Sequence, residues 1–255
     1  MRPRRRTGAL LGTAAVVSTL LVAPGPAHAV SPVTTAAPAT VTAATGTAAV
    51  GATPAPSRVT LPRFVTRVST RKPVVFITVD DGIVRDRAFL RLVRERHLPV
   101  TVFLTTWYAA EGPHADYFRK LQKAGAVIEN HTLSHPDLTR VGTSTLRREI
   151  CTAARRIEHR FGRAPTLFRP PYGAIDSRVL RTARDCGMTT VGWDAVMPAS
   201  GGLETWNGHG ALHRGDIVLF HFVPGLVPQL ERVLAKARRA GLRPALLEDY
   251  VRPPR

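Results

Sequence analysis

Cysteine, aromatic residues and acids are all scarce in this chain. Two cysteines, Cys151 and Cys186, are too few for a disulfide-stapled miniprotein or a four-thiolate zinc site. Aromatic residues make up 6% of the 255, which excludes a long stacking platform of the kind that grips a crystalline polymer. Acids number 18 against 36 lysines and arginines, a formal net charge of +18. The partners to weigh are therefore nucleic acid, an anionic membrane surface, or an acidic polymer outside the cell. No apolar run reaches the ~20 residues of a membrane span. What is plentiful is ordinary: 44% hydrophobic residues suit a chain that buries a core, not a fibrous or wholly disordered one.

The first 29 residues read as an export leader. Arg2, Arg4, Arg5 and Arg6 form a basic head, Gly8 to Val22 is apolar or small throughout, and Ala27-His28-Ala29 offers a small-x-small cleavage site. A transmembrane anchor is the competing reading, but the run is too short and Pro24 and Pro26 follow it. No charge occurs between Arg6 and Arg58, and residues 30–62 are rich in Ala, Thr and Pro. Without aromatic anchors or periodicity, that segment is expected to be a disordered linker. One folded domain is expected over 63–255. Losing the leader removes four arginines and no acid, leaving +14, which on an exported protein means attraction to anionic cell-wall polymers.

Within the domain, short apolar runs alternate with longer amphipathic stretches. The runs are Pro73 to Val79, Val100 to Leu104, Ala126 to Asn130, Thr166 to Phe168, Thr189 to Trp193, Asp216 to Phe220 and Arg243 to Leu247. Between them lie helical candidates at Arg85 to His97, Ala115 to Ala124, Thr143 to Phe161, Ile175 to Cys186 and Val227 to Ala240, several closed by glycine. Strand then helix, repeated, predicts an α/β fold: a distorted (β/α) barrel of about seven parallel strands. Functional groups then belong at the C-terminal ends of the strands. Asp80-Asp81, His131, Arg169, Asp194 and His221 each directly follow a predicted strand, so five polar positions are expected on one rim. Singly, each has a bland explanation as a cap, a core histidine or a neutralising partner.

Their chemistry narrows the choice. His131 and His135 stand four apart, which on a helical turn puts both imidazoles on one face and within reach of one metal ion. A carboxylate from another strand completes a two-histidine, one-carboxylate set with positions left for water and substrate. Asp81 is the natural candidate, because adjacent carboxylates after a strand repel each other unless a cation or a proton intervenes.

In these residues the sequence resembles the polysaccharide deacetylases of the NodB-homology type, carbohydrate esterase family four. Thr78-Val79-Asp80-Asp81-Gly82 resembles the first motif of that family, His131 to His135 the second, Arg169-Pro170-Pro171-Tyr172-Gly173 the third and Leu219-Phe220-His221 the fifth. The resemblance spans roughly Lys72 to Tyr250. It implies the NodB-homology fold, a distorted (β/α) barrel, and metal-dependent hydrolysis of N-acetyl or O-acetyl groups on a glycan. It further implies that Asp81, His131 and His135 bind a divalent metal, usually Zn2+, with Co2+, Ni2+ or Mn2+ as substitutes. Asp80 becomes the catalytic base, Arg169 the residue that orients it, the Tyr172 amide an oxyanion donor and His221 the acid for the leaving amine. The implied substrate is a glycan of the peptidoglycan or chitin type; the leader, and the lack of a basic helix or aromatic stacking motif, point to a secreted, monomeric protein that meets the anionic wall, with no nucleic acid partner and no membrane anchor.

The fourth motif departs from the family. An Asp-Trp pair is usual there, its aspartate tuning the acid histidine and its tryptophan lining the acetyl pocket, whereas this chain reads Gly192-Trp193-Asp194-Ala195-Val196-Met197. Asp194 is the candidate stand-in for the aspartate and Trp206 for the tryptophan; for Trp193, core packing competes with a substrate role. If neither replacement holds, a catalytically weakened wall-glycan-binding protein on the same scaffold is the alternative. Cys151 and Cys186 fall on successive helices, which leaves both a disulfide and two free thiols open.

Overall fold

A computed structural model describes residues 60–109, 112–198, 201–206 and 210–254. The expected leader, and the linker up to residue 59, lie outside the described residues. Ten strands form one sheet: β1 (Phe64–Val65), β2 (Val74–Asp81), β3 (Thr101–Leu104), β4 (Val127–Asn130), β5 (Leu167–Phe168), β6 (Thr189–Val191), β7 (Ala195–Val196), β8 (Glu204–Thr205), β9 (Ile217–His221) and β10 (Arg243–Ala245). Their order is β1-β6-β5-β4-β3-β2-β9-β7-β8, with β10 beside the start of β2. Every strand pair is parallel except β7 with β8. An antiparallel bridge between Arg67 and Asp216 ties the β1 edge to the foot of β9, so the sheet curls toward closure as the alternation of elements predicts.

The seven apolar runs became β2, β3, β4, β5, β6, β9 and β10. The three additional strands are two residues each, below the length at which a period of two can be read. Helices cover the outside: α1 (Arg87–Arg96), α2 (Thr106–Ala109), α3 (Gly112–Lys123), α4 (Thr143–Arg147), α5 (Ala153–Phe161), α6 (Ser177–Asp185) and α7 (Leu226–Arg239). The predicted Thr143-to-Phe161 helix is present but widened by a π-turn at Arg148–Thr152. Asp86 and Asp176 cap α1 and α6 by accepting two backbone N–H groups each, which satisfies donors that the helix itself leaves open. Among the described residues, no helix is long and apolar enough to cross a membrane.

Strand alternation sorts the core into layers. Val75, Ile77 and Val79 of β2 face the helices together with Val102, Leu104, Phe118 and Leu121. Val74 and Phe76 point inward with Phe103, Leu167 and Ile217. A period of two therefore carries the inward face on through Thr78 to Asp80, delivering a carboxylate to the barrel mouth. On β4 the same alternation puts Glu129 inside, fully buried, two residues below His131. Cys151 and Cys186 are joined, with Cα atoms 5.4 Å apart; the bond links the π-turn to the end of α6.

Candidate active site and metal centre

Four of the five predicted rim positions meet at the barrel mouth. Asp80 ends the inward face of β2 and lies in register with His221 of β9, so base and acid candidates sit on adjacent strand ends. Arg169 follows β5 and is fully buried, stacked 4.1 Å from the Phe103 ring centroid. It donates to Thr78 Oγ1, Asp80 Oδ1 and the Gly192 carbonyl, each at 2.8 Å. Asp80 Oδ1 is thereby committed, while Oδ2 lies 3.7 Å from His131 Nε2 and faces the mouth. Burial pushes Asp80 above the usual carboxylate range, and the Arg169 guanidinium, then His221, pull it back toward the ionised form.

Asp81 is out of step with the strand. Its φ of 80° is left-handed and breaks the alternation that would send its side chain toward the helices. Gly82 follows at φ 93°, where a Cβ would stand 2.7 Å from Leu104 Cδ1 and 2.9 Å from Phe118 Cζ, so only glycine fits. Asp81 Oδ1 lies 3.5 Å from His131 Nε2 and 3.3 Å from His135 Nε2. The His131 Nδ1 atom is 2.7 Å from the Arg169 carbonyl. A carbonyl only accepts, so Nδ1 carries the proton and Nε2 presents its lone pair. Burial drives His131 down to about 3, keeping the ring neutral. A neutral imidazole lone pair thus faces a carboxylate oxygen that is buried and has no hydrogen-bond partner. Acceptors that converge with no proton between them fit a cation, and Asp81, His131 and His135 offer ligand atoms within 4.8 Å of one another.

The histidine segment corrects one expectation. Residues 131–135 are not a helical turn: they form an irregular loop in which Thr132 (φ 74°) and His135 (φ 66°) are left-handed. Convergence of the imidazoles comes not from helical spacing but from backbone bonds of Thr106 N and Trp107 N to the Thr132 and Leu133 carbonyls together with side-chain hydrogen bonds. Asn130 Oδ1 accepts from Thr132 N, and Thr132 Oγ1 accepts from His135 N. The Glu149 carboxylate accepts from Leu133 N, Ser134 N and Ser134 Oγ. Of the five non-glycine residues with positive φ among the described residues, Asp81, Thr132, His135 and Tyr172 belong to this site. Each costs on the order of 1 kcal/mol, and such strain concentrates where function requires it.

Tyr172 sits in the short turn Pro171–Gly173 with its ring 71% exposed and edge-on to His135, centroids 4.8 Å apart. The amides of Gly173 and Ala174 are spent within the turn on the carbonyls of Pro170 and Pro171. Among the described residues, no backbone carbonyl takes the Tyr172 amide. Trp193 is half-buried against Gly173, where a Cβ would stand 3.0 Å from its ring, and it meets exposed Trp206 edge-on at 6.4 Å. The residue after β8 thus brings a second indole to the first.

Asp194 is not at the mouth, contrary to expectation. The chain leaves β6 after Val191: Gly192 still donates to the Val65 carbonyl and is pressed against the Phe64 ring with no room for a Cβ. It re-enters beside β9, the Asp194 amide bonded to the carbonyl of Ile217. The Asp194 carboxylate approaches Arg67 at 3.7 Å, and burial, with Asp194 nearby, pushes the Asp216 carboxyl up. From Ile217 to His221 is four strand residues, roughly 13 Å, so Asp194 cannot partner His221. The carboxylate that interacts with His221 is Asp80, beside it on β2.

Glu149, Asn130 and Thr78 went unread in the sequence. Glu149 did leave a signal: it stands three residues after Leu146, inside the buried stripe Leu146, Ile150, Ala153 and Ile157, where an apolar residue is expected.

A family model for polysaccharide deacetylases matches residues 67–191. A chitooligosaccharide deacetylase of Sinorhizobium fredii is 32% identical over 168 residues, 65% of this chain and 74% of the relative. The chain belongs to the polysaccharide deacetylase family. An uncharacterized protein of Streptomyces coelicolor is 43% identical over 196 residues, 75% of this chain and 78% of that one. Among solved structures, a family 4 carbohydrate esterase from Bacillus anthracis superposes with a TM-score of 0.62 at 25% identity, covering 73% of this chain and 86% of that one. The family makes this polysaccharide deacetylase a hydrolase of glycan acetyl groups. The matched residues include Asp80, Asp81, His131, His135, Arg169 and Tyr172, and stop short of Trp193, Asp194 and His221.

Proposed function

We propose that the protein is a secreted, wall-associated and metal-dependent deacetylase. Its substrates are N-acetylglucosamine-type glycans, such as peptidoglycan or chitin oligomers. The observation that carries the metal dependence is Asp81 Oδ1, buried, unpartnered and facing the neutral Nε2 of His131. Asp81, His131 and His135 would hold the ion, most naturally Zn2+ given two imidazoles and one carboxylate, with Co2+, Ni2+ or Mn2+ as substitutes. When bound, it supplies Lewis acidity toward the acetyl carbonyl and lowers the pKa of water toward ~7.

The chain's own groups do the rest. Asp80 Oδ2, left free because Arg169 occupies Oδ1, accepts the proton of the attacking water. Arg169 keeps that carboxylate oriented and ionised. The unspent Tyr172 amide donates to the oxygen that gains charge, a contribution of a few kcal/mol in comparable sites. His221, beside Asp80 on the next strand, protonates the departing amine, without which the C–N bond does not break. The +14 charge of the chain without its leader favours encounter with anionic wall polymers.

Acetate release from N-acetylglucosamine oligomers and from peptidoglycan, measured with stoichiometric zinc, tests the reading. Acetate is expected, and chelation abolishes it until zinc returns. Stoichiometric zinc with no acetate from either glycan would sink the enzyme reading. It would favour a weakened wall-binding protein, the alternative suggested by the displacement of Asp194 from His221.

A further inference from the structure

The five residues that carry the two histidines have no regular backbone ladder of their own. The loop's carbonyls at Thr132 and Leu133 accept from Thr106 N and Trp107 N on one side, which leaves the Leu133 and Ser134 amides on the other side to be held. One buried side chain grips the middle of this loop. The Glu149 carboxylate accepts from Leu133 N at 3.1 Å, Ser134 N at 2.9 Å and Ser134 Oγ at 3.0 Å, and the Glu149 carbonyl also faces Leu133 N at 3.1 Å. Glu149 is 4% exposed, so these charge-assisted bonds are little weakened by water. It belongs to the π-turn Arg148–Thr152, a widening that commonly marks functional positions in helices. Two residues on, Cys151 ties the same turn to Cys186.

We propose that Glu149 is a positioning residue for metal binding: it clamps the Leu133–Ser134 peptides so that His131 and His135 converge on Asp81 Oδ1, with the Cys151–Cys186 disulfide anchoring the turn that carries it. This rests on the metal reading of the site. Outer-shell partners usually act by bonding a ligand's own ring, and losing one costs about 10–100-fold in metal affinity. Glu149 works one step further out, on the backbone between the two ligands, and so sets their separation more than the basicity of either.

Zinc affinity of the full chain, measured by competition with a chromophoric chelator, reads this without any substrate. Glu149→Gln is expected to weaken zinc binding about 10–100-fold, and Ser134→Ala, which removes one of the three bonds, about two- to five-fold. Ile157→Val trims the buried face of the same helix; it should lower thermal stability and leave zinc affinity within about two-fold of the parent. If Glu149→Gln does not fold by circular dichroism, Ser134→Ala decides. A parent that binds zinc with variants indistinguishable from it would overturn the clamp and leave the deacetylase reading standing. The clamp also falls if Ile157→Val weakens zinc as much as Glu149→Gln, because the effect would then be general destabilisation. A parent that binds no zinc at all removes the metal reading, and the clamp with it.

Discussion

On the β2 to β5 side of the mouth, Asp80, His131 and Arg169 are almost completely buried and each is held by a named partner at a fixed atom. On the β6 to β9 side, Trp193 and His221 are half-buried, Trp206 is 66% exposed, and Asp194 has gone to the foot of β9. The first side is over-determined, since moving any one group strands another in a dry interior. The second tolerates change, because Trp193 and Trp206 reach the site from the segments that follow the short strands β6 and β8 and neither is tied into the dry interior. A sequence can drift in its fourth motif while keeping the first three for this reason.

The contrast is sharpest at Asp81. Asp81→Asn removes the anion that faces the two imidazoles; zinc affinity is expected to fall by ~100-fold or more and acetate release to vanish, read by chelator competition and an acetate assay. Arg169→Met comes next. It leaves a buried carboxylate without its counter-ion, which costs about 3–5 kcal/mol and lowers the melting temperature by roughly 6–20 °C for a domain of this size. A variant as stable as the parent would mean that the first side is not over-determined.

His221→Gln probes the looser side. Loss of the acid should slow N-acetyl hydrolysis by ~100-fold, at the low end for general acids, and should slow an acetate ester much less, because an alkoxide leaves more readily than an amide anion. Equal losses on amide and ester would remove His221 from the proton-transfer role. The smallest effect concerns the barrel interior below the mouth. Burial, and then the neighbouring Glu248, push Glu129 from the ordinary carboxylate value of 4.5 up to about 8. Between those values the folded chain keeps a proton that the unfolded chain releases, so stability is full below about 4.5 and declines as pH rises through about 8. Melting temperature should fall as pH rises from 6 to 9, and Glu129→Gln should flatten that slope.

Legibility followed the same division. The long apolar runs that became β2, β3, β4 and β9 announced themselves, and so did the polar residues at their ends, because alternation and parallel connection fix where a strand delivers its last side chain. His131 and His135 were legible as a pair but not as a shape. Spacing of four suggests a helical turn, whereas the loop is held by Asn130, Thr132 and Glu149, whose partners are set in three dimensions. Asp194 was misplaced because the chain crosses from β6 to β7, a two-residue strand too short to read, which sets Asp194 beside Ile217 at the start of β9. The Cys151–Cys186 pairing depended on the distance from the π-turn to the end of α6, which no spacing rule contains.

Arg169 has a consequence for how catalysis responds to its surroundings. Its guanidinium has given up solvent and rotamers during folding, packed on Phe103 and bonded to Thr78, Asp80 and Gly192. In water, dipoles must reorient around charge as it develops; here that reorganisation is complete before a glycan arrives. The electrostatics at the base are thus a property of the folded interior, insensitive to bulk ionic strength. Added salt should therefore act on how often the basic surface meets an anionic wall, and leave the turnover of a bound acetyl group nearly unchanged.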